Sequence, residues 1–380
     1  MKLHRLKTTA ALAMAASLTL AACGDDTPGA EQEPAAEGGS ESSEAASAGG
    51  GSDMELSGQL DGAGSSAQNS AVTAWIAGYQ EVQPGVTVLY DAIGSGGGRE
   101  NIISGAVDFA GSDAYLDEEE AEAVKETCGD GGAINLPVYI SPVAIPYNLP
   151  GVDTLNLKPD VLAQIMDQQI TSWSDEAIAA DNPDAELPDT DITVVNRSDE
   201  SGTTENFMEY LSAAAPDSWS YEADKAWPVS GGEAAAQTTG VIEVVGSTEG
   251  AIGYADASAV GSLSTALIGV GEEFVEYSAE AAAKVVDKSE RADTGVEGDL
   301  ALDLARDTTE SGAYPIVLVS YHIVCKQYGD ANVADMVKDF VGYASSEEGQ
   351  QAAAEAAGSA PISQDLRTNI EESLGMVQGG

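Results

Sequence analysis

Histidine and cysteine are scarce in this chain, and their scarcity excludes several kinds of catalytic site. Only two histidines and three cysteines occur among 380 residues, and none forms a CxxC pair or a cluster with the spacing of metal ligands. The sequence has neither a Gly-x-Ser-x-Gly nucleophile motif nor the Gly-Lys-Ser/Thr of a P-loop. His322 lies in an apolar run and is expected to be packed rather than catalytic. We therefore expect no catalytic residue, no metal and no cofactor.

Basic residues are also few. Lysine and arginine number 15 against 64 acidic residues, and three of the 15 lie in the first seven positions, so the other 12 leave a formal charge of −52 on the rest of the chain. A field of that sign repels nucleic acid and anionic lipid, and we expect neither as a partner. A surface rich in acids and poor in lysine is typical of life in high salt, where screening relieves self-repulsion. An acidic exported protein from an ordinary habitat is the alternative.

The first 22 residues have the pattern of an export signal. After a basic start, Thr8–Leu20 is apolar but too short to span a bilayer. The segment ends in Leu20-Ala21-Ala22-Cys23, which resembles a bacterial lipobox. We expect residues 1–22 to be a lipoprotein signal peptide and Cys23 to be acylated, which would anchor the protein to the outer face of the cell membrane. Plain cleavage with an unmodified Cys23 is the alternative.

The next stretch cannot build a core. Residues 24–55 are rich in Gly, Ser, Ala and Glu and contain no aromatic residue and no branched aliphatic one. Together with Cys23 they are predicted to form a disordered acidic tether (23–55), with a root-mean-square span of about 30 Å. About 320 residues follow, more than one core comfortably holds, so two lobes are predicted.

Three successive strand–loop–helix units open the body. Strands are predicted to end near residues 64, 93 and 110, with helices over 70–80 and 99–104. Each strand runs into a Gly/Ser-rich loop: Gly62–Ser66, Gly94–Gly98 and Gly111–Asp113. Such a succession predicts an α/β protein with a parallel sheet, and it places all three loops at carboxyl ends of strands, where open sheets bind ligands.

Two long apolar segments, Ala133–Pro146 and Tyr314–Cys325, are predicted to be strands that pass between the lobes. Lobe I is accordingly expected to comprise residues 56–145 and 312–380, and lobe II residues 146–311, with a ligand cleft between them. Further elements predicted from periodicity are helices over 159–167, 173–180, 233–239 and 333–343 and a strand over 251–254.

Two cysteines remain when Cys23 is set aside. Outside the cell, an even remainder favours a disulfide. Cys128 and Cys325 each lie near one of the long apolar strands. We therefore predict a Cys128–Cys325 bridge within lobe I.

A polar turn after the predicted strand 192–195 carries the most specific chemistry. A helix is predicted to begin near Thr204, and its amino end offers unpaired N–H groups and a positive dipole to an anion. Ser201 and Thr203 add hydroxyls at that end, and Arg197 adds a planar fork that suits a tetrahedral oxyanion. Asp199 could hold the arginine in place. An ordinary helix cap with a surface ion pair is the alternative interpretation.

The order and spacing of these motifs resemble those of the phosphate-binding proteins that feed ABC phosphate importers, over essentially all of the chain from Leu56. Four separated matches and two supporting ones carry the resemblance: Gly62–Ser66, Ile93–Gly98, Val107–Asp113, Arg197–Thr204, Ile170–Ile178 and Gly250–Tyr254.

The resemblance implies a two-lobed periplasmic-binding-protein fold of type II, with two hinge strands and a cleft that closes on one phosphate. It implies hydroxyl or backbone N–H donors in the first three loops, a carboxylate that accepts the phosphate's proton, and an arginine with its carboxylate partner. By position, the phosphate-binding residues would be Ser65, Ser66, Ala67 through its N–H, Ser95, Asp113, Arg197 supported by Asp199, Ser201, Gly202 and Thr203.

The implied function is extracytoplasmic, high-affinity binding of inorganic phosphate and its delivery to the permease of an ABC importer. The same fold could instead bind a sulfate-like oxyanion, although Asp113 would repel a fully deprotonated dianion. A surface lipoprotein for phosphate sensing or adhesion is another alternative. A phosphatase is poorly supported, because no nucleophile motif is present.

Two features depart from the family's pattern. Ser66-Ala67 stands where members often have threonine followed by phenylalanine, so a hydroxyl and an N–H are kept while an aromatic wall is lost. Glu200 and Glu205 lie beside the predicted anion site, where acids are unexpected. Unless these two point to solvent, they are expected to lower the affinity for an anion.

Overall fold

The computed structural model of the chain describes residues 55–380. The predicted signal peptide, the expected acylation of Cys23 and the predicted tether up to residue 54 lie outside the described residues. Residues 55–380 form 18 strands and 12 α-helices. None of the helices in this part of the chain is long and apolar enough to cross a bilayer.

The strands are β1 (Gly58–Gly64), β2 (Val86–Asp91), β3 (Phe109–Ser112), β4 (Ala133–Ala144), β5 (Pro146–Tyr147), β6 (Asn156–Leu157), β7 (Thr193–Arg197), β8 (Glu233–Ala235), β9 (Ala251–Gly253), β10 (Ala255–Asp256), β11 (Ser264–Thr265), β12 (Leu267–Val270), β13 (Glu273–Val275), β14 (Glu290–Arg291), β15 (Leu302–Asp303), β16 (Val317–Cys325), β17 (Gln327–Tyr328) and β18 (Gln378–Gly379). The helices are α1 (Asn69–Val82), α2 (Ser95–Ser104), α3 (Glu118–Ala123), α4 (Lys125–Cys128), α5 (Pro159–Met166), α6 (Glu176–Asp181), α7 (Gly202–Ala214), α8 (Gln237–Ser247), α9 (Ala279–Val286), α10 (Ala331–Ser345), α11 (Glu347–Ala357) and α12 (Gln364–Leu374).

The larger sheet has six strands in the order β10-β4-β16-β3-β1-β2. The predicted parallel arrangement of its first three strands is confirmed, since β1 pairs in parallel with both β2 and β3. The two long strands β4 and β16 run antiparallel to each other and complete the sheet. Every residue of both is buried, which explains why they read as continuous apolar runs rather than as alternating ones.

The second sheet has five strands in the order β11-β5-β9-β7-β8. Its strand β7 pairs in parallel with β8 and β9. The carboxyl end of β7 leads directly into the loop before α7, so this sheet positions the Arg197 turn. The chain passes from the first sheet to the second between β4 and β5 and returns through β16. The short strand β10, in the stretch that we assigned to lobe II, pairs with β4; the lobe boundaries stay a prediction.

The predicted disulfide is present in the structure. The Sγ atoms of Cys128 and Cys325 are 1.99 Å apart and their Cα atoms 4.8 Å apart. Cys128 ends α4 and Cys325 ends β16, and both side chains are buried. The bridge therefore ties the β3–β4 connection to the long strand at the centre of the first sheet.

Several predicted boundaries were wrong. The predicted helix 233–239 is instead strand β8 followed by α8, because residues 233–235 pair with β7 as its parallel edge neighbour. Two helices begin earlier than predicted: α2 at Ser95 rather than Arg99, and α7 at Gly202 rather than Thr204. Glycine occurs in the first turn of both helices. Because glycine has a low helix propensity, the sequence pattern did not reveal that these turns are helical.

Candidate functional site

Three loops of the first sheet meet at one edge because their parallel strands end there. The Ser65 N–H donates to the carbonyl of Gly111 at 2.8 Å, and the Gly94 N–H donates to the carbonyl of Gly64 at the same distance. The helix α2 also lies close to β1, since a Cβ on Gly98 would come within 2.6 Å of the Gly64 Cα. Glycine at position 98 is thus required for the loops to pack together.

The amino end of α7, from the second sheet, lies against these loops. A Cβ added to Gly202 would be 2.6 Å from Ser95 Oγ and 2.8 Å from Asp113 Cβ. Ser201 caps the helix, and its Oγ accepts a hydrogen bond from the Thr204 N–H at 3.3 Å. Both Ser201 and Thr203 are 1% exposed. The Arg197 loop was expected to face the first-sheet loops across a cleft; at its Ser201–Thr203 end it lies in direct contact with them.

Asp113 lies at the centre of this contact. Its carboxylate accepts hydrogen bonds from Ser65 Oγ at 2.5 Å, from Ser320 Oγ at 2.7 Å and from Thr203 Oγ1 at 3.2 Å. Its own N–H donates to Ser95 Oγ at 3.1 Å. Asp113 is 3% exposed. A buried carboxylate is thus surrounded by hydroxyl groups from the first sheet and from α7, which compensates for the cost of burying its charge.

Arg197 and Asp199 form the pair that the sequence predicted. The Nε of Arg197 donates to Asp199 Oδ1 at 2.8 Å, and Nη2 donates to Oδ2. Asp199 also accepts from the N–H of Gln237 at 2.9 Å. Burial alone would raise the pKa of Asp199, but its hydrogen bonds and the charge of Arg197 outweigh burial and hold that pKa below its ordinary value. The carboxylate therefore stays ionised and fixes the guanidinium plane.

Ser66 and Ala67 make other contacts. Ser66 Oγ lies 3.1 Å from Thr238 Oγ1 and accepts from the Thr238 N–H at 3.2 Å, so it joins the first sheet to α8. The Ala67 N–H donates to Ser65 Oγ at 3.1 Å, within its own loop. Their predicted roles as phosphate ligands stay predictions.

The two unexpected acids are each paired with a base. Glu205 Oε2 lies 3.4 Å from Arg99 Nη2, and Glu200 Oε2 lies 3.1 Å from Lys225 Nζ. Glu120 of α3 joins both bases, at 2.9 Å from Arg99 Nε and 3.4 Å from Lys225 Nζ. Burial raises the pKa of Glu205 to about 7, and the charge of Arg99 offsets this only in part. We name these five residues the ion-pair bridge. They connect helices α2 and α3 with α7 and with Glu200 and Lys225, which lie on either side of α7 in sequence.

The sequence reasoning missed Arg99, although a signal was present. An arginine inside a glycine-rich helix start is buried to 2% exposure here, and a buried guanidinium requires acidic partners. Two acids with no evident role, Glu200 and Glu205, lie just before α7 and in its first turn. Their excess could have suggested such a pairing, but nothing in the sequence says which base meets which acid.

Asn206 and Arg306 were also missed. The Nδ2 of Asn206 donates to the carbonyls of Asp113 at 2.7 Å and Gly202 at 2.8 Å. Arg306 donates to Asn206 Oδ1 and, through Nε, to Glu209 Oε2 at 2.9 Å. Asn206 thereby holds the backbone of the Asp113 loop against the first turn of α7.

The chemistry of this donor set suits a small tetrahedral oxyanion. The hydroxyls of Ser95 and Ser201 accept from N–H groups and keep their own hydrogens to donate. Together with a helix amino end and one oriented arginine they offer directed hydrogen bonds, and a single carboxylate supplies an acceptor. Residues 55–380 contain no group of three or more His, Cys, Asp or Glu placed to hold a metal ion.

Comparisons with known proteins agree with this geometry. A family model described as a PBP superfamily domain matches residues 30–348. Phosphate-binding protein PstS 3 of Mycobacterium tuberculosis is 33% identical over 349 residues, which cover 90% of each chain.

Two solved structures share the fold. A high-affinity periplasmic phosphate-binding protein, PfluDING, bound with phosphate, is 20% identical with a TM-score of 0.68, covering 83% of this chain and 93% of that one. A putative phosphate ABC transporter substrate-binding protein with bound phosphate from Clostridium perfringens is 19% identical with a TM-score of 0.57, covering 79% and 98%. The α/β, two-lobed periplasmic-binding-protein fold is confirmed, and the chain belongs to the PBP superfamily and, within it, to the PstS family of phosphate-binding proteins.

Proposed function

We propose that this protein binds inorganic phosphate outside the cytoplasm and delivers it to the permease of an ABC importer. Two similar proteins support the proposal. The Mycobacterium tuberculosis relative is a phosphate-binding protein, and the Clostridium perfringens protein is a putative substrate-binding protein of a phosphate ABC transporter. The protein acts in this role as a binding protein without catalysis.

One observation in the structure carries the choice of ligand. Asp113 is a buried carboxylate set among hydroxyl donors at the amino end of α7. Phosphate near neutral pH always keeps at least one proton, which such a carboxylate can accept as a charge-assisted hydrogen bond. Sulfate has no proton to give, so the same carboxylate would face it as an unpaired charge. The site therefore favours phosphate over sulfate-like oxyanions.

The proposed ligands in the site are those named from the sequence. Ser65 and Thr203 donate to the Asp113 carboxylate, Ser95 accepts from the Asp113 N–H, and Ser201 with Gly202 forms the helix end. Arg197 supplies the cationic donor, oriented by Asp199. The helix N–H groups and hydroxyls leave little need for net positive charge, since a buried oxyanion is stabilised by many directed donors.

Isothermal titration calorimetry of the purified, phosphate-free chain tests the ligand. We expect tight phosphate binding, weak sulfate binding, and a loss of at least about 100-fold in phosphate affinity for Arg197→Gln, because a charge-assisted donor is removed from a buried site. Arg367→Gln is the matched control, since Arg367 lies on α12 and donates to Ser345 O and Gln364 Oε1. A parent chain that gives no heat with phosphate, or binds sulfate more tightly, contradicts the proposal. Release of phosphate from phosphomonoesters would support a phosphatase instead.

The proposal also includes a lipid anchor that attaches the protein to the membrane. Lipidation of Cys23 would hold the protein on the outer face of the cell membrane through the tether, close to a permease. Labelling with palmitate in cells tests this directly, with Cys23→Ala as the control. We expect the parent to be labelled and membrane-bound and the variant to be released. An unlabelled parent would contradict the lipid anchor while leaving phosphate binding unaffected.

A further inference from the structure

A chain of buried hydrogen bonds leads away from Asp113 into the first sheet. Ser320 Oγ donates to Asp113 Oδ1 at 2.7 Å, and Gln68 Nε2 donates to Ser320 Oγ at 2.8 Å. Gln68 Oε1 in turn lies 3.2 Å from His322 Nε2. Gln68, Ser320 and His322 are each 0% exposed. A chain of hydrogen bonds through three buried polar side chains thus ends at one oxygen of the Asp113 carboxylate.

The direction of this chain follows from His322. Burial lowers the pKa of His322 to about 3, so its imidazole is neutral and carries one N–H. Nδ1 has no hydrogen-bond partner within residues 55–380. Buried N–H groups without an acceptor are rare in folded proteins, rarer than acceptors without a donor, so we place the proton on Nε2. His322 therefore donates to Gln68 Oε1.

That assignment orients the remaining groups. With Oε1 of Gln68 facing His322, its amide NH₂ must face Ser320, as the structure has it. Since Ser320 Oγ accepts from Gln68, its single hydrogen is free to point to Asp113. The donors consequently run in one direction from His322 to Gln68 to Ser320, and they end on the carboxylate.

The consequence at Asp113 is an asymmetry between its two oxygens. Oδ1 accepts from both Ser65 and Ser320, which occupies its two lone pairs. Oδ2 accepts from Thr203 alone among the described residues, at 3.2 Å. One acceptor position therefore remains on Oδ2, the oxygen that contacts the first turn of α7.

The asymmetry is set within the first sheet. Ser65 and Gln68 follow β1, Ser320 and His322 belong to β16, and Asp113 follows β3. Only Thr203 comes from the α7 side. The carboxylate is thus oriented by its own sheet, whether or not the second sheet contacts it.

We propose that Ser320 is a positioning residue that contributes to specificity. With Ser65, its hydroxyl occupies the lone pairs of Asp113 Oδ1. The remaining acceptor position, on Oδ2, is thereby directed to the proton of bound phosphate. This inference rests on the proposed function and adds a residue, 207 positions from Asp113 in sequence, that does not itself touch the ligand.

Titrations of three variants with phosphate and with sulfate test it. Ser320→Ala should lower the phosphate-to-sulfate affinity ratio by about tenfold, since a donor to a charged acceptor is lost and the carboxylate can turn. Ser320→Thr keeps the hydroxyl and should recover the parent ratio to within about threefold. Ser345→Ala is the matched control, because Ser345 is equally buried but donates to Gly342 O in its own helix.

A ratio in Ser320→Ala within twofold of a selective parent overturns the inference while the proposed function stands. A parent that binds no phosphate overturns both. Because Ser320→Ala leaves a buried amide unpaired and could fail to fold, a second measurement uses unaltered site residues. Nitrogen-15 spectra of the His4→Gln chain, whose one imidazole is His322, should show the neutral Nε2–H tautomer from pH 5 to 8. The Nδ1–H tautomer would make Nε2 an acceptor, reverse the donor direction and overturn the inference.

Discussion

At the residue scale, Asp113 combines two demands on one side chain. It must stay in a buried position, and in the proposed site it must keep an acceptor free for phosphate. The three hydroxyl donors around it meet the first demand, and their uneven distribution over Oδ1 and Oδ2 meets the second. A motif aspartate at the end of a strand predicts neither feature by itself.

The change Asp113→Asn separates proton reading from a purely structural role. An amide can still accept from Ser65 and Ser320 while its NH₂ donates to the ligand, so phosphate should still bind. We expect the preference over sulfate to fall at least about tenfold, because the unpaired charge that disfavours sulfate is gone. Calorimetric titrations with both anions measure the ratio, and Asp256→Asn, at another fully buried aspartate, is the control. An unchanged ratio in Asp113→Asn would refute the assignment.

At the element scale, helices α2 and α7 are joined by the ion-pair bridge of Arg99, Glu120, Glu205, Lys225 and Glu200. The bridge explains why acids are tolerated beside an anion site. Their charges are compensated by bases that the sequence alone does not place there. It also makes part of the stability dependent on pH, since Glu205 is partly buried and its pKa is raised.

The change Arg99→Gln should expose that dependence. The pKa of Glu205 is raised in the folded state, to about 7 against an ordinary 4.5, so its contribution to stability is complete below pH 4.5 and is lost as pH rises through 7. Without Arg99 the charged form is less tolerated still. We expect Arg99→Gln to lower the free energy of unfolding by about 3–5 kcal/mol at pH 8, and by clearly less at pH 5.

Urea denaturation at both pH values measures the effect. Lys288→Gln is the control, because Lys288 pairs with Glu310 on the surface at 3.7 Å, where ion pairs contribute about 0–1 kcal/mol. A loss for Arg99→Gln that is equal at pH 5 and pH 8 would show that Glu205 does not titrate as described.

The helices and strands also show where hydrophobic periodicity alone predicts the bounds of an element. It located α1, α5 and the long strands β4 and β16 to within a few residues, because their apolar faces are long and regular. It failed at residues 233–239, where three residues become strand β8 through pairing with β7. It failed again at the glycine-bearing starts of α2 and α7, where Gly98 and Gly202 lie closely packed against other loops.

At the scale of the whole molecule, the disulfide crosslinks residues 197 positions apart. Chain-entropy models give such a loop about 5 kcal/mol, and removal of native disulfides typically costs about 2–5 kcal/mol. We expect the double variant Cys128→Ala, Cys325→Ala to lose a free energy of unfolding in that range, measured by chemical denaturation. Equal stability of the parent with and without reductant would show that the bridge does not contribute.

The net charge acts on the whole molecule as well. A formal charge of −52 outside the first seven residues repels a phosphate dianion at low salt, and the Debye length falls from about 30 Å at 0.01 M to about 3 Å at 1 M. We expect phosphate association to become faster and the fold more stable as sodium chloride rises from 0.05 to 1 M. Stopped-flow rates that fall over this range would show that the local positive field at Arg197 and the helix ends dominates.

The sequence by itself determined the α/β class, the family, the three loops that follow parallel strands, and the disulfide. Each of these follows from a local pattern, such as strand–loop–helix order, or from a count, such as two spare cysteines. It predicted Arg197 with Asp199 and the Ser201–Thr203 turn, because these residues stand in a strand–turn–helix motif whose chemistry can be read in place. Asp113 was predicted through the family resemblance, and the roles of all these residues as phosphate ligands stay predictions.

Only the tertiary structure decided which side chains meet across the fold. Arg99 meets Glu205 from 106 positions away, and Ser320 meets Asp113 from 207 positions away. Such pairings depend on strand register and on how closely glycine-bearing helices approach, and neither leaves a local trace in sequence. The direction of the His322 hydrogen bond depends further on burial, which keeps that imidazole neutral, and on Nδ1, which has no partner among the described residues. Long-range register and burial are properties of the folded chain, and they determine how the site residues are oriented.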